Sequence, residues 1–265
     1  MKKERLDEAL VRLQYADTPE LARAIIMEGR VFQNGNRLDK PAILLASDVG
    51  LTVKGDKLPY VSRGGLKLEK AIAAFGLTFE GKTCMDVGSS TGGFTDCMLQ
   101  KGAQKVYAVD VGYGLLDWKL RNDPRVVVME RTNARLLNPE MTGGERMDFA
   151  SMDVSFISIR TVLPAVRTCM KEDAHLAVLV KPQFEARREQ VGKGGIVRDP
   201  KVHREVLETV IAAMPAIGLV PQGLTVSPIK GVGGNTEFLL YLTNTELNDT
   251  AFQAERAIED VLRFV

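Results

Sequence analysis

The stretch Thr83-Cys84-Met85-Asp86-Val87-Gly88-Ser89-Ser90-Thr91-Gly92-Gly93-Phe94-Thr95-Asp96 decides how this chain folds. Its first residues read as a buried strand that runs into a loop with three glycines and then a helix. That order of strand, bare backbone and helix lets a ligand approach the main chain at the edge of an α/β sheet. The spacing G-x-x-x-G-G differs from the G-x-G-x-x-G dinucleotide fingerprint, and G-x-x-x-x-G-K-[ST] is absent, so pyrophosphate and triphosphate cradles are disfavoured. Asp86, just before the first glycine, would repel phosphates but attract an amino or sulfonium cation, which suits S-adenosylmethionine. The next strand ends Val106-Tyr107-Ala108-Val109-Asp110, and an acid there can accept hydrogen bonds from both ribose hydroxyls of an adenosine. Past the third strand, Asn133 in Arg131-Thr132-Asn133-Ala134 is expected at the same edge, within reach of the adenine. The predicted cofactor residues are therefore Asp86, Gly88, Ser89, Ser90, Gly92, Gly93, Phe94, Asp110 and Asn133.

Outward from this loop, strands and helices alternate. A helix at about 65–76 precedes strands near 82–88, 105–111, 125–130, 147–153, 175–181, 222–228 and 236–243, with a closing amphipathic helix at about 246–263. Alternation of this kind predicts an α/β fold with a mostly parallel seven-stranded sheet and helices on both faces; with a glycine loop suited to S-adenosylmethionine, the expectation is a Rossmann-like class I methyltransferase. The first residues read differently. Leu6, Ala9, Leu10 and Leu13 mark one helix, and Thr18-Pro19 caps and opens a second that Gly29 ends. Val31-Phe32-Gln33, the turn pair Asn34-Gly35, Pro41 and the Val49–Val53 run read as short strands and turns. Asp56 to Arg63 brings a proline and mixed polarity between the two patterns. We therefore expect a small α+β domain at 1–57, a linker at 58–63 and the large domain at 64–265.

The 265 residues are 45% hydrophobic and 26% charged, with a net charge of +1, which excludes disorder as the dominant state. No apolar run approaches the ~20 residues of a membrane span, so no stable membrane insertion is expected. The basic start Met1-Lys2-Lys3-Glu4-Arg5 lacks the apolar core of a secretory signal, which points to the cytoplasm. Cys84, Cys97 and Cys169 lie outside any C-x-x-C spacing, and His175 and His203 lack ligand-spaced partners, so no metal is expected. Near-neutral charge also lacks the overall basic bias of a protein that coats nucleic acid.

Four ionisable residues fall where such a sheet presents its C-terminal edge: Asp153 in Asp153-Val154-Ser155-Phe156, Lys181 in Lys181-Pro182-Gln183-Phe184-Glu185, Glu237 in Asn235-Thr236-Glu237-Phe238, and Lys67 on the helix before the first strand. Taken singly, Lys67 also reads as a surface lysine, Asp153 as a helix cap and Glu237 as a polar strand residue. Lys181 is the least ordinary, because it emerges from the buried run Leu176 to Val180, where desolvation and neighbouring cations are expected to ease the proton off its amine. A ribose hydroxyl is a poor nucleophile and benefits from such a base. The Asn-Pro-Pro-Tyr clamp used for exocyclic amines is absent, and so is a Pro-Cys or Thr-Cys motif for covalent attack on a pyrimidine.

The set Lys67, Asp153, Lys181 and Glu237 resembles the tetrad of the FtsJ-like 2′-O-ribose methyltransferases. In the front domain, Arg5-Leu6-Asp7-x-x-Leu10 and Gly29-Arg30-Val31-x-x-Asn34-Gly35 resemble the RNA-binding module named after ribosomal small-subunit protein four. With Ser62-Arg63-Gly64-Gly65-x-Lys67-Leu68 and Gly192-Lys193-Gly194-Gly195-x-Val197-Arg198-Asp199, the chain from Arg5 to Asn244 is similar to the TlyA, or haemolysin A, family. The resemblance implies methyl transfer from S-adenosylmethionine to cytidine 2′-hydroxyls of ribosomal RNA, with rRNA or ribosomal subunits as partners. Arg5, Arg23, Arg30 and Arg63 are the expected RNA contacts at the front, and Arg187, Arg188, Lys193 and Arg198 those of a segment at 186–204 read as a mobile substrate loop running into a helix. Two other readings stay open: a membrane-active haemolysin, and a ribosome-binding protein that senses cofactor without turnover.

Overall fold

The computed structural model describes residues 3–13, 15–16, 18–46, 50–54, 58–245 and 252–265. The chain divides into two compact units, Met1–Ser62 and Arg63–Val265.

The first unit holds β1 (Lys3–Arg5), α1 (Leu6–Arg12), α2 (Pro19–Met27), β2 (Val31–Gln33), β3 (Asn36–Leu38), β4 (Leu44–Ala46) and β5 (Thr52–Val53). The α2 start is built as its sequence dictates: Thr18 Oγ1 accepts from Leu21 N at 3.2 Å, and Pro19 fills a position whose N–H has no helical partner. Asn34 and Gly35 take φ of 48° and 82°, the left-handed pair that matches the twist of a two-residue hairpin between β2 and β3. Leu6, Leu10, Ala22, Ile26 and Val31 close the core beneath them. The ladder between β1 and β4 was not predicted, because three charged residues, Lys3 to Arg5, carry no strand pattern. Val49, at the head of the predicted Val49–Val53 run, and the 55–57 end of the predicted small domain lie outside the described residues.

The second unit contains α3 (Gly64–Phe75), β6 (Thr83–Val87), α4 (Gly93–Gln100), β7 (Lys105–Val109), α5 (Trp118–Arg121), β8 (Val126–Met129), β9 (Met147–Met152), α6 (Ile159–Thr168), β10 (Met170–Val180), α7 (Pro182–Glu185), α8 (Pro200–Ile217), β11 (Val220–Val226), β12 (Phe238–Asn244) and α9 (Ala254–Leu262). One seven-stranded sheet runs in the order β11-β12-β10-β9-β6-β7-β8. Every pairing is parallel except those of β12, which lies antiparallel between β10 and β11. Successive strand residues serve opposite faces. Met85, Val87, Leu176 and Val178 pack with Val162 and Leu163 of α6 and Leu207 and Val210 of α8, while α3 and α4 cover the other face. Residues 246–251 of the predicted closing helix lie outside the described residues, and α9 begins at Ala254. Among the described residues no helix is long and apolar enough to cross a membrane.

This topology fixes where chemistry gathers. Parallel strands bring Gly88, Asp110, Asp153 and Lys181 to one edge, each just past a strand end. Antiparallel β12 starts at that same edge: Phe238 pairs with Val180, so Glu237 arrives beside Lys181 from the opposite chain direction.

Candidate functional site

The four ionisable residues meet. Lys67 Nζ donates to Asp153 Oδ2 at 3.1 Å and to Glu237 Oε2 at 2.8 Å. Lys181 Nζ lies 2.5 Å from Asp153 Oδ1 and donates to Ser155 Oγ at 3.2 Å. The result is a chain of alternating charge, Lys181, Asp153, Lys67 and Glu237, assembled from α3 and the ends of β9, β10 and β12. Burial alone would make Lys67 easier to deprotonate, but Asp153 and Glu237 outweigh it and raise its pKa above the ordinary lysine value. Burial likewise opposes the charge on Asp153, and Lys67 and Lys181 overcome that and hold its carboxyl below the usual range. One expectation changes here. Neighbouring cations were expected beside Lys181; its ion-pair partner is instead the carboxylate of Asp153, and Lys67 is shared between the two acids.

Beside this chain lies a cavity of about 560 Å³, a volume suited to a small-molecule cofactor. Gly88, Ser90, Asp110 and Asn133 line it together with Asp153, Ser155 and Phe156. Gly88 has φ of 82°, and a Cβ there would sit 2.6 Å from the Asp153 carbonyl oxygen, so only glycine lets β6 and β9 close on one another at this point. Asp110 accepts from Ser90 N at 2.8 Å and Gly112 N at 2.7 Å, which orients its carboxylate while leaving lone pairs for further donors. Asn133 lines the cavity while its Oδ1 accepts from Arg135 N at 3.1 Å.

Other predicted cofactor residues stand behind the lining. Asp86 is buried and turned away from the cavity: its Oδ2 accepts from Thr95 N at 2.9 Å and Thr95 Oγ1 at 2.7 Å, and its Oδ1 from Ser151 Oγ at 3.2 Å. It binds β6 to α4 and β9 instead of facing a ligand cation. Burial raises its pKa to about 7, against the hydrogen bonds from Thr95 and Ser151. Ser89, Gly93 and Phe94 are buried as well, and with Gly92 they form the turn and first residues of α4.

The structure also places the predicted RNA residues. Arg5 donates two hydrogen bonds to buried Asp7, at 2.9 and 2.8 Å, and Arg23 adds a third at 3.0 Å. The Arg5 bonds are the main cause that holds the Asp7 carboxyl down to about 2. Arg30 donates to the Lys54 carbonyl at 2.8 Å. Arg63 is exposed at the start of α3, and Arg187, Arg188, Lys193 and Arg198 are all exposed. The segment carrying those last four is more built than the predicted loop. It holds a turn of 3₁₀ helix at Arg188–Gln190 and a bridge between Gly192 and Ile196. Asn235 fastens it by accepting from Val197 N at 3.0 Å and donating to the Gly195 carbonyl at 2.9 Å.

Three residues were not singled out in the sequence. Phe156 is 90% exposed, has φ of 64°, and sits 5.2 Å from the Phe184 ring. The Glu185 side chain is almost wholly buried and accepts from Ser158 Oγ at 2.6 Å and Ile159 N at 2.7 Å, which caps α6 from a neighbouring segment. Ser155 holds Lys181. The available signal was that all three lie within four residues of Asp153 or Lys181. Among the described residues no group of histidines, cysteines and acids is arranged to hold a metal.

Residues 4–48 match the S4 domain family, and residues 60–244 match a family described as FtsJ-like methyltransferase. YqxC of Bacillus subtilis, described as a proposed rRNA methyltransferase, is 56% identical over 91% of this chain and 86% of its own. The 16S/23S rRNA (cytidine-2′-O)-methyltransferase TlyA of Mycobacterium tuberculosis is 44% identical over 98% of this chain and 96% of its own. A solved structure of a proposed hemolysin from Streptococcus thermophilus superposes with a TM-score of 0.77 at 46% identity, covering 99% of this chain and 97% of that one. With the FtsJ match spanning most of the chain and the charge chain and cavity at its sheet edge, the protein belongs to the FtsJ-like methyltransferase family.

Proposed function

We propose that this protein transfers a methyl group from S-adenosylmethionine to the 2′-hydroxyl of a cytidine in ribosomal RNA, in the cytoplasm. The observation that carries this reading is the junction of Lys181, Asp153, Lys67 and Glu237 at the wall of the cavity. When bound, S-adenosylmethionine supplies a methyl carbon made electrophilic by its sulfonium. The residues present fit that cofactor: Asp110 is the acceptor for ribose hydroxyls, Asn133 and the apolar wall of Val109, Leu115 and Ile157 suit an adenine, and Gly88 and Ser90 give close backbone approach.

Lys181 takes the proton of the 2′-hydroxyl. Asp153, already paired with Lys181, favours the ammonium that forms, and Lys67 and Glu237 hold Asp153 in place. Base catalysis of this kind contributes about 10²–10⁴-fold. Holding the hydroxyl in line with the methyl contributes more, up to about 7–11 kcal/mol, so the fixed geometry of the four residues matters beyond base strength. The exposed Phe156 ring offers a face on which a base can stack. We assign RNA binding to a small domain at 1–57, through Arg5, Arg23 and Arg30, with 58–63 as linker. Arg63, Arg187, Arg188, Lys193 and Arg198 meet RNA from the 64–265 domain, whose cofactor set includes Asp86, Ser89, Gly92, Gly93 and Phe94 as the scaffold behind the cavity.

Replacing Lys181 with methionine tests the assignment. Methyl transfer to rRNA should fall by at least about 100-fold, while S-adenosylhomocysteine binding measured by calorimetry stays unchanged. Retention of most of the activity would remove Lys181 from the base role.

A further inference from the structure

Two neighbours compete to set the direction of the Lys181 amine. Asp153 Oδ1 is close, at 2.5 Å, but the contact is an ion pair outside hydrogen-bond alignment: among the described residues that buried oxygen has no aligned donor. The aligned hydrogen bond of Lys181 goes instead to Ser155 Oγ, at 3.2 Å. Coulomb attraction draws the nitrogen toward Asp153 without fixing its rotation about the terminal carbon–nitrogen bond. A hydrogen bond fixes it, because its strength falls steeply with angle.

We propose that Ser155 is a positioning residue for Lys181: its hydroxyl oxygen accepts one N–H of the neutral amine and thereby turns the lone pair toward the ribose hydroxyl. The inference rests on Lys181 being the base. Apart from its bond to carbon, the amine nitrogen has three tetrahedral positions. Ser155 takes one of them by hydrogen bond, while the Asp153 carboxylate crowds the nitrogen without alignment; both residues line the cavity, and a lone pair turned to that side would meet substrate. The proton balance is simple. The hydroxyl O–H bond breaks and its proton becomes the third N–H of Lys181; the oxygen's freed electron pair forms the bond to the methyl carbon as the carbon–sulfur bond breaks, its pair leaving with the sulfur as a neutral thioether.

Ser155 is well placed to do this because its loop is tied to the segment that carries Lys181. The segment after Asp153 and the segment after Lys181 are joined twice more, by the Phe156–Phe184 ring contact and by Glu185, which receives Ser158 Oγ and Ile159 N. Phe156 between these ties takes a left-handed φ of 64° with its ring exposed, and Ser155, itself exposed, reaches Lys181 through its hydroxyl.

The test compares Ser155→Ala, Ser155→Thr and Lys181→Met in the full-length protein, with kcat, KM for rRNA and S-adenosylhomocysteine Kd for each. Ser155→Ala should lower kcat about tenfold, the upper end of what one neutral hydrogen bond is worth, with KM and Kd within about twofold. Ser155→Thr restores a hydroxyl and should recover most of kcat. A purely structural serine would instead move KM, Kd and melting temperature with kcat. Should Ser155→Ala unfold, Ser155→Cys, whose thiol is a weak acceptor, replaces it with the same expectation. An alanine variant at full kcat, or a threonine variant as slow as alanine, overturns the proposal. Full turnover by Lys181→Met would overturn the base assignment itself, which separates the two failures.

Discussion

Replacing Asp86 with asparagine should flatten the pH dependence of stability of the large unit. The buried carboxyl has its pKa raised from 3.8 to about 7, with burial as the first cause. A carboxyl whose folded pKa is raised binds its proton more tightly in the folded state, so stability is highest below pH 3.8 and falls as pH rises toward 7. Each unit of that interval costs about 1.4 kcal/mol, so the full penalty above pH 7 is about 4 kcal/mol, and the part incurred between about pH 5 and pH 8 is about 3 kcal/mol. Asparagine is neutral throughout. Its Oδ1 keeps the bonds from Thr95 N and Oγ1, and its amide nitrogen can donate to Ser151 Oγ, so the network survives without the charge. Trp118, the sole tryptophan, lies in α5 and reports on the large unit. Urea unfolding followed by its fluorescence, in the absence of cofactor, gives the stability of each protein at both pH values. The variant should gain about 3 kcal/mol on the wild type between the acidic and the alkaline measurement. The comparison across pH cancels any constant cost of the substitution. A wild-type minus variant difference that is the same at both pH values would refute the placement of Asp86 as a buried, ligand-averted acid.

Gly88→Ala should cost about 1–3 kcal/mol through its left-handed φ. It should also weaken S-adenosylhomocysteine binding at least about tenfold in calorimetry, because the new Cβ meets the Asp153 carbonyl. Phe156→Ala should leave unfolding free energy within about 0.5 kcal/mol, since the ring is exposed, yet lower methyl transfer in a rate assay. Asp7→Asn tests the front unit. The wild-type carboxyl, held at about 2 first by Arg5, stabilises above pH 3.8 by about 2 kcal/mol and loses that contribution as pH falls through 2. Amide exchange in α1 and α2 should therefore speed up in the variant at neutral pH and match wild type near pH 2.

Much of this was legible because the signals were local. The run from Thr83 to Asp96 contains its own strand, turn and helix start, and Asn34-Gly35 dictates its own hairpin. The charge chain was legible for a different reason: Asp153 and Lys181 each end an apolar strand, and strand ends of a parallel sheet share an edge. What escaped depends on distant partners. The inward turn of Asp86 follows from Ser151, which reaches it only through the β6–β9 pairing. Lys67 looks like a surface lysine on α3 until Glu237 arrives from antiparallel β12. Asn235 shapes the 191–198 segment from some forty positions away. The ties from Ser155 to Lys181 and from Glu185 to α6 are side-chain geometry that no periodicity encodes.

The most direct test of the account is to incubate the protein with methyl-labelled S-adenosylmethionine and, separately, small subunits, large subunits and stripped rRNA. The labelled RNA is then digested with alkali, which cannot cleave next to a 2′-O-methyl ribose. The account predicts label confined to an alkali-resistant dinucleotide that begins with cytidine, and none with Lys181→Met. Label released on an ordinary mononucleotide, as from a methylated base, or transfer undiminished in Lys181→Met, would contradict it.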